Sequence, residues 1–140
     1  MSVEANKQLV QYTYAALFNS GNLAIADEVV SADFVNHGTP PHVPGGVEGL
    51  RQMVVMLRTA FPDLHYEIKE IIGEGDWIAA RTILHGTHNG AFFGVPPTGR
   101  QVVQEQMHLI RFANGKAVEN REVRDDLGLL RQLGVIPDHP

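Results

Sequence analysis

Residues 101–126, QVVQEQMHLIRFANGKAVENREVRDD, constrain what this chain can fold into more than any other stretch. Polar and apolar residues alternate on both sides of Asn114-Gly115, and this pair accepts positive φ at low cost, so the segment predicts two antiparallel strands joined by a tight turn. The alternation is unusual in what it groups together. Every second residue of a strand shares a face, and here Gln104, Gln106 and His108 share one with Val102, Ile110 and Phe112. Amides and an imidazole among hydrophobes suit the wall of a lined pocket better than a sealed core.

The turn decides which residues of the returning strand join that wall. A two-residue loop at Asn114-Gly115 sets His108 opposite Arg121 and gives the pocket face Glu119, Arg121 and Asp125. A type I turn over Ala113, Asn114 and Gly115, closed by a glycine bulge, pairs Phe112 with Lys116; His108 then opposes Asn120, and Gln106 opposes Glu122. A slip of one residue moves every side chain to the other face, so the identity of the pocket acid depends on this turn. The bulged form is the expectation, because it also places Val118 beside Ile110 and Phe112.

A chain of 140 residues, 44% hydrophobic and 19% charged, is read as one globular domain over residues 1–140. Its 11 Lys+Arg against 16 Asp+Glu leave a formal net charge of -5. Binding a nucleic-acid backbone needs a basic excess, so no nucleic-acid partner is expected. The absence of cysteine removes disulfides, thiolate catalysis and cysteine metal sites. MSVEANKQLV lacks a basic region followed by an apolar run, and no apolar stretch approaches the roughly 18 residues of a membrane span. A soluble, cytoplasmic protein without a membrane partner is expected.

Along the chain, Ser2 and Glu4 open a helix ending at Asn19-Ser20-Gly21, and Asn22 caps a short second helix through about residue 30. Tyr12 and Tyr14 lie on the first helix, either as core aromatics with wet hydroxyls or with one hydroxyl in the pocket. ADFVNH predicts a brief strand before the loop GTPPHVPGG. Val47, Leu50, Met53, Val54, Leu57 and Phe61 form the stripe of a helix over residues 46–61, with Met as core filler. Residues 64–72 and 77–88 alternate as a strand pair, and a short helix spans residues 127–133. Helices followed by strands mean an α+β fold, a curved antiparallel sheet wrapped around N-terminal helices with an internal cavity.

Seven histidines invite a metal, but the spacings fail: His85 and His88 are three apart in an extended segment, and His37 and His42 flank prolines without a nearby acid. No nucleophile elbow, dinucleotide fingerprint or Walker pattern occurs, so no metal or cofactor is expected. What remains is acid-base chemistry. Burial against Phe112, Ile110 and Val118 would raise the pKa of a Glu122 carboxylate and make it a base, with His108 and Gln106 holding a developing enolate oxygen. The plainer alternative is a satisfied His108–Glu122 polar pair in a structural pocket.

Several motifs carry a resemblance: Asp33-Phe34-Val35-Asn36-His37, Phe61-Pro62-Asp63, the loop Gly86-Thr87-His88-Asn89-Gly90 to Phe93-Gly94-Val95-Pro96-Pro97-Thr98-Gly99, then Gly115-Lys116, Glu119, and the ending Asp125-Asp126-Leu127-Gly128-Leu129-Leu130-Arg131-Gln132-Leu133-Gly134. Over essentially its whole length the chain resembles the SnoaL-like polyketide cyclases, which share the cone-shaped α+β barrel of nuclear-transport-factor-like proteins. The resemblance implies a strand acid acting as general acid/base in an intramolecular aldol ring closure, with a Gln and a His on the preceding strand. Gln106 and His108 match that pair. The acid falls on Glu122 where the family usually has Asp, and Arg121 stands where Trp is common. Asp125 matches a usually acidic position and is the second candidate, its other role being a helix cap.

The expected substrate is a small apolar, polyketide-like molecule. Tyr14 and Phe92 would wall it, His37 and His88 would sit at the cavity mouth, and Asn120 would contact it. A homodimer or homotetramer through sheet surface is expected. Alternatives are a non-catalytic binder of an apolar ligand, or an isomerase, hydroxylase or epoxide hydrolase on the same cone.

Overall fold

The computed structural model describes residues 2–137. Its five-stranded sheet runs in the order β1 (Val30–Asn36), β5 (Lys116–Arg124), β4 (Gln101–Ala113), β3 (Trp77–Thr87), β2 (His65–Glu74). Strands β2 to β5 pair antiparallel, as the alternation predicts. At the edge, however, β1 lies parallel to β5, so the α+β sheet is mixed rather than wholly antiparallel. The cause is connectivity: three strands and a helix separate β1 from β5, and without a tight turn nothing imposes the antiparallel direction.

The β4–β5 pairing follows the two-residue Asn114-Gly115 loop at the turn, but beyond it matches neither register read from the sequence. Asn114 and Gly115 take φ of 52° and 80°. Two positive values give the mirror-image turn whose twist suits a hairpin, so Ala113 faces Lys116 and Phe112 faces Ala117. The extra residue lies inside the strand instead of at the turn. The ladder slips between Arg111 and Phe112, Val118 is left unpaired, and beyond it Ile110 faces Asn120 and His108 faces Glu122. Gln106 therefore faces Arg124, not Glu122. A displacement of two residues from the expected bulged register preserves the face, which is why Asn120 and Glu122 still share the His108 side.

Helix α1 (Val3–Tyr12) begins where Ser2 Oγ accepts from the Ala5 N–H. It widens into a π-helical stretch, Thr13–Asn19, in which Ser20 N–H reaches back to the Ala15 carbonyl. Thr13 Oγ1 donates to the Leu9 carbonyl at the junction, a bond that perturbs regular helix. Asn22 makes no side-chain cap; a 3-10 turn, Leu23–Ile25, leads instead into α2 (Ala26–Val29). Helix α3 (Gly46–Ala60) buries Leu50 and Val54 against the sheet, and α4 (Asp126–Gln132) follows β5. Leu17, Val54, Phe61 and Ile78, all fully buried, join helices and sheet in one core. None of the described helices is long and apolar enough to cross a membrane.

Phe61-Pro62-Asp63 links these layers. Phe61 fills the core, while the two Asp63 carboxylate oxygens accept from the Thr87 N–H and hydroxyl, each at 2.7 Å, tying the start of β2 to the end of β3. The Thr87 hydroxyl and then its N–H hold the Asp63 carboxyl below its ordinary value. The unfolded chain therefore binds the proton first as pH falls. The stability lost in Asp63→Ala, read as a shift in urea midpoint, is expected in full well above the unfolded value of about 3.9. It should vanish as pH drops through the depressed folded value.

Candidate active site

Between the helices and the inner face of the sheet lies a cavity of about 310 Å³. Val102, Gln104, Gln106, His108, Ile110 and Phe112 are all buried on the inner side of β4, so the mixed face built by the sequence is the one turned toward the helices. Tyr14 from the π-helical stretch, Tyr66 from β2 and Phe92 from the following loop supply aromatic wall, and Asn120, Glu122 and Arg124 enter from β5. Tyr14 packs 5.1 Å from Tyr66 and edge-on to His108 at 5.8 Å. Met53 also lines the cavity rather than only filling the core, while Tyr12 is exposed.

The polar wall is a continuous chain. His108 Nε2–H donates to Gln106 Oε1 at 2.8 Å, Gln106 Nε2 to Gln104 Oε1 at 2.9 Å, and Gln104 Nε2 to Asp126 Oδ1 at 3.0 Å. Across the ladder Asn120 Nδ2 donates to Glu122 Oε1 at 3.2 Å and to Asn36 Oδ1 at 3.0 Å. Arg124 Nη1 lies 3.5 Å from Glu122 Oε2 and donates to the Gly38 carbonyl. The Glu122 side chain is 11% exposed. Its carboxylate is thus bounded by an amide and a guanidinium as well as by hydrocarbon, and unpaired Val118 is not among the cavity residues; the wholly apolar surround expected for it is absent. Gly38 packs directly on that carboxylate, where any Cβ would collide with it.

Burial sets the protonation of three other groups. Desolvation raises the Tyr14 phenol, reinforced by Tyr66 and Glu122, and raises Tyr66 with help from Glu122, so both hydroxyls keep their protons and can donate. Desolvation lowers His108; the Glu122 charge and Asn120 oppose this, and Arg124 assists it. The site therefore holds a carboxylate, a neutral imidazole and two phenols around an apolar space. Such a set can abstract a proton and stabilise an oxyanion.

Three expected site residues lie elsewhere. Asp125 Oδ1 accepts from the Gly128 N–H as the cap of α4 and does not line the cavity. His37 bonds Glu119 at 2.8 Å on the outer side, where Arg111 chiefly and His37 next hold the Glu119 carboxyl below its ordinary value. His88 is fully buried against Phe61, and Thr98 bonds its Nδ1, so it anchors the loop over residues 88–100 instead of guarding a mouth. The sequence reading passed over Tyr66, Arg124, Asp126 and Asn36. Arg124 carried a usable signal, since it follows Glu122 by the strand period. Among the described residues no three His, Cys, Asp or Glu side chains are grouped to hold a metal ion.

The model of the SnoaL-like polyketide cyclases matches residues 8–133. The chain belongs to this family. One SnoaL-like relative, the nogalonic acid methyl ester cyclase of Streptomyces nogalater, is 36% identical over 119 residues, covering 84% of this chain and 89% of that protein. The aklanonic acid methyl ester cyclase DnrD of Streptomyces peucetius is 37% identical over 120 residues, 84% of this chain and 83% of that one. TsrD from Streptomyces laurentii has the same cone-shaped structure, with a TM-score of 0.90 at 25% identity over 97% of this chain and 99% of that one. These likenesses support a polyketide cyclase function for this SnoaL-like chain.

The buried imidazole gives a pH test. The unfolded chain protonates its histidine near 6.5, while folded His108 does so lower, so between the two values the unfolded state binds more protons. Stability should therefore fall as pH drops from about 6.5. His108→Gln should flatten that part of the urea-midpoint profile, and an NMR titration of His108 should have its midpoint below that of an exposed histidine.

Proposed function

We propose that this chain is an enzyme that closes a ring in an ester of a polyketide acid by intramolecular aldol addition, without a cofactor. The observation that supports it best is the Glu122 carboxylate set in the wall of a largely apolar cavity and facing His108 across the ladder. Esters of polyketide acids are the substrates named in the relatives, the nogalonic and aklanonic acid methyl ester cyclases. In this reading Glu122 takes a proton from a carbon acidified by adjacent carbonyls. The electron pair moves onto a carbonyl oxygen as an enolate. The carbon then adds to a ketone of the same molecule, and Glu122 returns the proton to the alkoxide formed.

The oxyanion falls to the phenols of Tyr14 and Tyr66, which burial keeps protonated. His108 and Gln106, expected in that part, are bonded to one another and present their donors along the wall instead. The cavity's further contribution is orientation, which for a unimolecular closure can be worth about 7–11 kcal/mol. A non-catalytic binder of an apolar ligand is the competing reading, favoured by the way Asn120 and Arg124 already occupy both Glu122 oxygens. With aklanonic acid methyl ester as probe, Glu122→Gln should lose about 10²–10⁴ in turnover while retaining ligand affinity. Binding of the ester by wild type without any turnover would decide for the binder. An active Glu122→Gln beside an inactive Asp125→Asn would overturn the choice of base.

The homo-oligomer expected from the sequence is proposed to form on the outer face of the sheet, where Val103, Met107, Leu109 and Val123 are exposed. Sedimentation should find a dimer or tetramer in wild type and monomer in Met107→Asp/Val123→Asp.

A further inference from the structure

The chain of amides along β4 has a direction, and the direction is fixed from one end. A carboxylate oxygen only accepts hydrogen bonds. Asp126 therefore forces Gln104 to turn its NH₂ outward, 3.0 Å from Asp126 Oδ1, and its carbonyl inward. Gln106 must then offer its NH₂ to Gln104, at 2.9 Å, and its carbonyl to His108. The imidazole meets that carbonyl at 2.8 Å and must supply a proton on Nε2. Gln104, Gln106 and His108 are 3%, 3% and 7% exposed, so water offers little competition inward of Asp126, whose own side chain is 59% exposed and also lies 3.5 Å from Arg124 Nε.

We propose that Asp126, which makes no hydrogen bond to the imidazole itself, is a positioning residue that sets the His108 tautomer through Gln104 and Gln106. Protonation at Nε2 leaves Nδ1 as the acceptor. His108 is the partner of Glu122 across the ladder, and Asn120, which bonds Glu122 Oε1, is the polar side chain beside the imidazole. Once the protonated Glu122 acid leaves Asn120 it can turn to Nδ1, which holds its proton for return to the alkoxide. The opposite tautomer would present an N–H to the base and deny the acid that acceptor. A buried imidazole, an amide pair and a carboxylate at the base of α4 thus act as one unit, with no proton transferred along the amides. The kinetic consequence rests on the proposed role of Glu122; the tautomer does not.

The test separates the two. In nitrogen-15-labelled protein, long-range proton–nitrogen correlations report which ring nitrogen of His108 carries the proton. Wild type should show Nε2–H alone. Asp126→Asn, whose amide can present either end, should populate the Nδ1–H form, and so should Gln104→Met, which cuts the line one step in. The decisive variant is the double exchange Gln104→Glu/Asp126→Asn. A carboxylate at position 104 accepts from both neighbours, so Nε2–H alone should return, an outcome that loss of packing would not produce. Persistence of pure Nε2–H in Asp126→Asn and Gln104→Met, or failure of the exchange to restore it, would overturn the proposal. With aklanonic acid methyl ester, kcat should fall about ten- to hundredfold in Asp126→Asn at unchanged KM and recover in the exchange, the scale of other supporting residues. Tautomers that shift as stated with kcat unmoved would uphold the relay and refute the part given to Glu122.

Discussion

Val118 occupies a place in β5 that has no partner in β4, and the site depends on that one unpaired residue. Strand side chains alternate with period two, so without the extra residue Ala117 and Asn120 could not both point inward. With it, the strand turns its face once. Ala117 packs beside Phe112 near the turn, and beyond the bulge Asn120 and Glu122 come round to meet Ile110 and His108. The tight turn fixes where pairing begins, and the bulge decides which chemistry reaches the cavity.

A polar wall inside an apolar cavity is costly unless its members satisfy one another. Here the amides of Gln104, Gln106 and Asn120 serve as couplers, each linking groups that could not reach one another directly. The arrangement also separates the ionisable groups by environment. His108 and the two tyrosines are held uncharged by burial, while Arg124 sits where its charge is shared among Glu122, Asp126 and the Gly38 carbonyl. The cavity thus keeps its charge at the β5 side and its hydrocarbon toward α3.

Much of this was legible in the sequence, and the failures have definite causes. The inward face of β4 followed from period two alone, because burial on one side leaves only one consistent phase. Beyond the bulge the β5 face also followed, yet the pairing did not, and Ala117 rather than Val118 lies beside Phe112: a residue inserted at the turn and one inserted three positions later give the same alternation beyond them, and only geometry distinguishes them. His37 and His88 were placed at the mouth on residue type, but a loop rich in Pro and Gly has no period from which to deduce direction, and both found partners away from the cavity. Asp126 escaped notice because its importance arises from the return of α4 toward β4, a tertiary relation that no local pattern records. The parallel edge β1 was likewise a matter of topology.

Gly38 lies against the Glu122 carboxylate with no room for a Cβ. Glu122 is one methylene longer than an aspartate, and the missing methyl at position 38 is the space into which that length extends. The two positions are therefore complementary in size, and neither can be judged by itself. A shorter acid at 122 would open a void beneath the loop and draw the carboxylate away from Asn120, whereas a larger residue at 38 would push the longer acid into the cavity. An exchange of Glu122 for Asp in this chain therefore calls for a matching change at position 38, because either change alone leaves the pair hollow or overfull.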